Sequence, residues 1–136
     1  MPAPPPLLQV VETGIYVDDL DAAERFYCDI LGLRRVSRQE GRDLFVAAGK
    51  NMLLVFFAPE TLQGETLPAH GATGPGHFAL EVAGAADLAA WRAHLERHGV
   101  AIEKEVSWGR EDLRSIYFRD PAGNSVEIIT RGVWPV

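Results

Sequence analysis

A carboxylate stands in an apolar strand near the end of the chain. The stretch FRDPAGNSVEI, residues 118–128, reads as a strand, a tight turn and a second strand that contains Glu127. Burying a carboxylate costs several kcal/mol unless it is paired, hydrogen-bonded or bound to a metal. Glu127 is therefore predicted to have a partner, which is either an arginine such as Arg114 or Arg119, or a metal ion.

The elements that must position this carboxylate form an internal repeat. A shift of 65 residues, from Glu12 to His77, superposes two strand–turn–helix stretches that each end near a glycine. The stretches 43–57 and 116–130 are apolar hairpins that superpose with a shift of 73, from 43 to 116. Each copy is too small to bury its own apolar face. The pair predicts an α+β protein, with two βαβββ modules that form a curved mixed sheet (half-barrels) around a cleft and helices outside.

The repeat predicts one domain with five segments. They are a flexible N-terminal arm (1–10), the first module (11–57), a Pro/Gly-rich connecting loop (58–76), the second module (77–130) and a C-terminal tail (131–136).

The composition excludes several classes of protein. The 136 residues carry a net charge of -6, which argues against a nucleic-acid or anionic-membrane partner. Cys28 is the single cysteine, so no internal disulfide can form. No apolar run approaches the roughly 20 residues of a membrane span, and the proline-rich start lacks the basic region of a signal peptide. We expect a cytoplasmic protein.

The polar exceptions in the repeat fall at matched positions. Glu12 and His77 open the first strands of the two halves. Glu127 lies in the last strand of the second half, at the position equivalent to Leu54 in the first half. If both halves curl around one cleft, two carboxylates and one imidazole meet there. Such a set predicts a divalent-metal site.

Three stretches, YVDDLDAAERFYCDILGL, GHFALEV and SIYFRDPAGNSVEI, resemble the vicinal oxygen chelate superfamily. That superfamily includes glyoxalase I, bleomycin-resistance proteins, fosfomycin-resistance transferases and extradiol dioxygenases. The resemblance covers nearly the whole chain. It implies that Glu12, His77 and Glu127 are the metal ligands. If they bind one ion, we expect Glu12 or Glu127 to double as a catalytic base. The mixed oxygen and nitrogen set suits one divalent ion, without choosing among Zn, Ni, Mn, Fe, Co and Mg.

Two positions depart from the patterns of particular subfamilies. Leu54 stands where glyoxalase I has a carboxylate. Glu12 stands where extradiol dioxygenases and fosfomycin-resistance transferases have a histidine.

Further residues are predicted to line the cleft. Ser115 and Tyr117 match ligand-contacting positions of the fosfomycin-resistance transferases, Tyr16 lies four residues beyond Glu12 on the same strand face, and Trp108 is either a pocket wall or a hydrophobic plug. Leu54 makes part of the cleft apolar. His70, in the connecting loop, is either solvent-facing or a lid or acid/base residue.

These residues support several functions. The first hypothesis is a glyoxalase-like, divalent-metal-dependent lyase or isomerase that chelates a small oxygenated substrate through its oxygens. The alternative is a metal-free protein of the bleomycin-resistance type that sequesters a drug or an aromatic metabolite. Dioxygenase, thiol transferase and an interaction module with an empty cleft are further alternatives. The resemblance also implies a homodimer, with the cleft formed within one chain or across two.

Overall fold

The computed structural model describes residues 4–63, residue 68 and residues 70–136. The elements follow one another as β1 (Glu12–Val17), α1 (Leu20–Glu24), a π-helical segment (Arg25–Ile30), β2 (Arg34–Gln39), β3 (Asp43–Ala48), β4 (Asn51–Phe57), α2 (Ala58–Thr61), β5 (His77–Val82), α3 (Ala85–Arg97), β6 (Lys104–Ser107), β7 (Arg114–Arg119) and β8 (Ser125–Thr130). No helix in the described residues is both long and apolar enough to cross a membrane.

The strands form two four-stranded mixed sheets with the same topology. The orders are β1-β4-β3-β2 and β5-β8-β7-β6, and in each sheet the first strand pairs in parallel with the last. The predicted α+β class with two βαβββ modules is confirmed. No strand pairing joins the two sheets in the described residues, so they do not close into a barrel.

The helix of the first module changes type along its length. The side chain of Asp19 caps α1 by accepting the Ala22 N–H at 3.0 Å. From Arg25 the helix becomes π-helical, with a hydrogen bond from the Leu31 N–H to the Phe26 carbonyl at 2.9 Å. A π turn inserts one extra residue per turn and changes which side chains face inward.

One hydrophobic core serves both modules. Alternation along each strand turns one face toward the helices, as with Ile15 and Val17 in β1 and with Ile116 and Phe118 in β7. The helices contribute buried side chains from both halves, including Leu95 of α3. The modules therefore share one core, as the small size of each copy requires.

A buried polar cluster joins the two modules. Asp120, in the turn between β7 and β8, is 4% exposed. One of its carboxylate oxygens accepts the Tyr27 hydroxyl at 2.8 Å and the Asn124 side-chain amide at 2.9 Å, and the other accepts the backbone N–H groups of Ala122 and Asn124 at 3.0 and 2.8 Å. Burial, followed by the charge and the hydrogen bond of Asp120, raises the pKa of Tyr27 far above its usual range.

Asn124 completes this connection with its side-chain amide. Its oxygen accepts the backbone N–H of Gly76 at 2.8 Å, and its nitrogen also donates to the backbone carbonyl of Tyr16 at 3.1 Å. We call Tyr27, Asp120 and Asn124 the module clamp. These residues belong to the stretches that resemble the superfamily, and in the structure they hold one module against the other.

Candidate functional site

Two of the predicted ligands meet on the second sheet. The register of β5 and β8 places His77 beside Ser125 and Ala79 beside Glu127, on the face opposite the core. We call this surface the second-sheet face. His77 Nε2 lies 3.3 Å from Glu127 Oε1, with the imidazole side chain 51% exposed and the carboxylate side chain 8% exposed.

The hydrogen bonds of His77 determine which of its nitrogens is free. Nδ1 lies 3.1 Å from the backbone carbonyl of Ser125 and 3.2 Å from the hydroxyl of the same residue. In the tautomer with its hydrogen on Nδ1, the ring donates to this carbonyl, which only accepts. In that tautomer the neutral ring has a lone pair on Nε2, and this nitrogen lies 3.3 Å from a carboxylate oxygen. An imidazole nitrogen and a carboxylate oxygen this close together can bind the same divalent cation.

Glu127 has a histidine partner rather than an arginine. Arg114 pairs with Glu105 at 3.0 Å, and Arg119 pairs with Glu103 at 2.7 Å. The arginine alternative for Glu127 is therefore wrong in this chain. The physical reason is the pairing of β6 with β7. It brings Arg114 and Arg119, at the two ends of β7, to Glu105 in β6 and Glu103 just before it.

Three more predicted residues lie on the second-sheet face. Tyr117 is the register partner of Glu127, and its ring is nearly parallel to that of His77, with centroids 6.1 Å apart. Burial and then the neighbouring charge of Glu127 raise the pKa of Tyr117. Ser115 is fully buried and accepts the indole N–H of Trp108 at 2.9 Å. The indole itself is 44% exposed.

The corresponding face of the first sheet is aromatic. The ring of Phe56 packs against Tyr16 and Phe45, with centroids 5.8 and 5.7 Å away, and against His70 at 4.3 Å. Tyr16 also approaches His70, with its hydroxyl 3.4 Å from Nδ1. Leu54 is the register partner of Phe45 and is half-buried on this face. Phe45 and Phe56 were not predicted from the sequence as part of the site, although alternation from Leu54 places Phe56 on the same face.

Glu12 lies apart from the pair on the second sheet. It opens β1 opposite Met52 and lines a groove of about 730 Å³ between Asn51–Leu53 and Phe78–Val82. Within the part of the chain that the structure describes, no three His, Cys, Asp or Glu side chains cluster closely enough to hold a metal ion. One chain thus brings His77 and Glu127 together without Glu12.

Known proteins share this fold and family. A sequence model of the Glyoxalase/Bleomycin resistance protein/Dioxygenase superfamily matches residues 9–128, and the chain belongs to this superfamily. The crystal structure of a lactoylglutathione lyase from Agrobacterium tumefaciens superposes with a TM-score of 0.90 and 37% identity, covering 97% of this chain and 100% of that one.

Two similar sequences extend the comparison. The uncharacterized protein YaeR of Escherichia coli (strain K12) is 31% identical over 128 residues, which is 90% of this chain and 95% of that protein. A catechol-2,3-dioxygenase of Bacillus subtilis (strain 168) is 28% identical over 124 residues, which is 87% of this chain. The match spans only 41% of the dioxygenase's length.

Proposed function

We propose that the chain is a glyoxalase-like, divalent-metal-dependent lyase or isomerase that acts on a small oxygenated substrate. The observation that carries this proposal is the facing pair of His77 Nε2 and Glu127 Oε1, 3.3 Å apart. A histidine whose other nitrogen donates to a backbone carbonyl is the usual form of a metal-ligating histidine, since that bond fixes the tautomer and the ring. The donor set therefore fits a divalent ion.

The residues of this face have separate roles in the proposal. A bound divalent ion supplies Lewis-acid polarisation of neighbouring substrate oxygens. His77 and Glu127 would hold it, and the Tyr117 hydroxyl lies beside Glu127 to bind a substrate oxygen. The Glu127 carboxylate would accept the substrate proton, and Glu12 would be the other carboxylate able to do so at a shared site.

We further propose that the site is completed across a homodimer. β1 and β5 are edge strands, each with one neighbour among the described strands, and such edges favour pairing with another chain. Glu12 of the partner subunit would then join His77 and Glu127.

Metal analysis of the purified chain tests the ion. After loading with Mn²⁺ or Zn²⁺ and dialysis, we expect about one ion per site, lost in His77→Gln and Glu127→Gln and retained in the matched control His98→Gln, whose histidine is exposed on the surface. Lactoylglutathione, the compound in the name of the Agrobacterium protein, is the first substrate to assay, before and after chelation. Equal ion content in all four proteins would refute the assignment.

Mixing two inactive variants tests the shared site. In a two-fold dimer, Glu12→Gln and Glu127→Gln chains that exchange subunits form mixed dimers with one intact site and one doubly altered site. We expect the mixture to recover roughly a quarter of the ion-binding sites at equal amounts. A site built within one chain would recover none.

A second candidate function is metal-free binding of an aromatic compound. The aromatic face of Tyr16, Phe45 and Phe56 and the exposed indole of Trp108 favour it, because such rings stack on planar ligands. The test is binding of an aromatic compound to protein from which metal has been removed with a chelator. Saturable binding with the same affinity in the unaltered chain and in Glu127→Gln would support this candidate over the metal-dependent enzyme.

A further inference from the structure

An exposed apolar segment precedes β1. Residues 7–11, LLQVV, carry no charge, and the side chains of Leu7, Leu8 and Val10 are 99%, 90% and 78% exposed. Single exposed apolar side chains are ordinary, whereas a contiguous group of them on a folded chain marks a contact with another surface. We call residues 7–11 the arm segment.

The first sheet provides a neighbouring strand for only the last residue of the arm segment. β1 pairs in parallel with β4 from Glu12 opposite Met52, and β4 begins one residue earlier, at Asn51. The carbonyl of Val11 accepts the Met52 N–H at 2.7 Å, and this is the one backbone hydrogen bond of the arm segment among the described residues. Residues 7–10 thus extend past the end of β4.

The residues before the arm segment favour an extended backbone. Pro4, Pro5 and Pro6 stand directly before Leu7, and proline fixes φ in the range of the extended polyproline conformation. A segment that is already extended loses less conformational entropy when it binds. The arm segment is therefore suited to bind alongside a strand.

An apolar groove lies between the two modules, beside both edge strands. It has a volume of about 730 Å³, and the start of β1 and residues 78–82 of β5 line it. Several of its apolar side chains pack on the core and stay only partly buried, namely Leu33, Phe78, Leu80, Val82 and Trp91. β5 has one neighbour among the described strands. The groove therefore offers an apolar surface together with a strand edge.

The proposed homodimer brings the arm segment of one subunit to the groove of the other. In that dimer Glu12 of the partner subunit reaches His77, and each of these residues opens the equivalent strand of its module. Two equivalent strands that meet at equivalent residues around a local two-fold axis run antiparallel. The residues that precede Glu12 then lie beside those that follow His77. Val10 of the partner subunit stands opposite Ala79 in this register.

We propose that each subunit of the homodimer places its arm segment in the groove of the other subunit, as an added strand along β5. This exchange rests on the proposed homodimer and names the segment that holds it together. Backbone hydrogen bonds to a strand edge and apolar side chains in neighbouring pockets provide the affinity of such a contact. Because the arm segment continues directly into Glu12, its docking also fixes Glu12 at the shared ion site.

Sedimentation of a dilution series measures the contribution of the arm segment to the dimer. The double variant Leu7→Ser/Leu8→Ser replaces two exposed apolar side chains without a change in net charge. We expect the dissociation constant of the dimer to rise at least about tenfold, because two leucines lose their apolar burial. The matched control is Leu62→Ser, which changes an exposed leucine at the end of α2. It should leave the constant within about twofold.

Disulfide trapping identifies the chain to which the arm segment binds. In the Cys28→Ala background, which removes the single cysteine, Val10→Cys chains are mixed with Ala79→Cys chains and oxidised. Facing Cα atoms of an antiparallel pair lie about 4.5–5.5 Å apart, within the range of a disulfide. We expect a linked dimer in which mass spectrometry identifies the two joined peptides. Val36→Cys, at an exposed valine on the opposite edge strand of the first sheet, should form no link with Ala79→Cys.

The outcomes separate the arm exchange from the ion site. The exchange is overturned if the mixed chains stay unlinked, or if the serine double variant dimerises like the unaltered chain. A link within one chain in the double variant Val10→Cys/Ala79→Cys would also overturn it, because the arm segment would then occupy its own groove. A linked dimer that binds neither Mn²⁺ nor Zn²⁺ would refute the ion site and support the exchange.

Discussion

The module clamp offers a direct test of how the two halves are held together. Tyr27 is fully buried in the π-helical segment, and its hydroxyl donates to Asp120 of the other module at 2.8 Å. Tyr27→Phe removes that hydroxyl and keeps the ring, so the packing against Phe26 and Phe78 is preserved. The substitution thus isolates one hydrogen bond between the modules.

The expected loss follows from the partners that remain. After the change, Asp120 still accepts the Asn124 side chain and the backbone N–H groups of Ala122 and Asn124. A hydrogen bond to a charged group contributes about 1.5–3 kcal/mol, so we expect a loss of about 2 kcal/mol. At this chain length that corresponds to a fall in Tm of roughly 6–10 °C. Asn124→Ala should cost more, because it removes the bonds to Gly76 and Tyr16 as well.

Urea unfolding followed by circular dichroism measures this effect. The matched control is Tyr16→Phe, whose hydroxyl is partly exposed and has only a 3.4 Å contact with His70. We expect the control to lie within about 0.5 kcal/mol of the unaltered chain. If Tyr27→Phe unfolds at the same urea concentration as the unaltered chain, or if Tyr16→Phe loses as much, the clamp does not stabilise the contact between the modules.

Three further predictions concern stability. The pKa of Tyr27 is raised in the folded state, so this tyrosine contributes its full stabilisation below the unfolded pKa of 10.0. Above that pH the free energy of unfolding falls by about 1.4 kcal/mol per pH unit. In Tyr27→Phe, the loss of stability at alkaline pH, measured by urea unfolding, should therefore be smaller. Leu95→Ala empties a fully buried position of α3 and should lower the free energy of unfolding by about 2–5 kcal/mol; a loss below 1 kcal/mol would show that the core collapses around the gap. Glu103→Gln breaks an exposed ion pair with Arg119 and should leave the unfolding midpoint unchanged within error at both low and high salt.

The repeat and the strand pattern were readable from the sequence because both depend on local order along the chain. Alternation of side chains predicted the second strand that carries Glu127, and the shifts of 65 and 73 residues predicted two copies of one module. The structure confirms both features. Gly32 and Gly99, which end the two helical stretches, have the same φ of 75°.

Local competition between similar residues was harder to resolve. Asp19 and Asp21 lie two residues apart at the start of the first helix, and each has the chemistry of a cap. The extended backbone of Asp19, with φ of -151°, lets its carboxylate reach the Ala22 N–H. The π-helical segment was not predicted, since its extra residue leaves no clear period in so short a helix.

The partners of the site residues depend on which strands become neighbours. The sequence alone identified Glu127 as a buried carboxylate in need of a partner, and it left an arginine and a metal ion as chemical solutions. The register of β5 on β8 brings His77 to Glu127. The acids that pair with Arg114 and Arg119 lie in β6 (Glu105) and just before it (Glu103). Glu12 shares the chemistry of a ligand but opens an edge strand of the other sheet.

The sequence by itself thus determined the strand and helix faces, the duplicated module and the chemical types available to a site. Tertiary structure decided that Asp120 and Asn124 join the modules, that His77 faces Glu127 and that Ser115 is buried beneath Trp108. The physical reason is the distance along the chain over which each interaction acts. Side-chain alternation and helix capping act over a few neighbouring residues, whereas hydrogen bonds such as that from Tyr27 to Asp120 join positions 93 residues apart and exist only once the chain has folded.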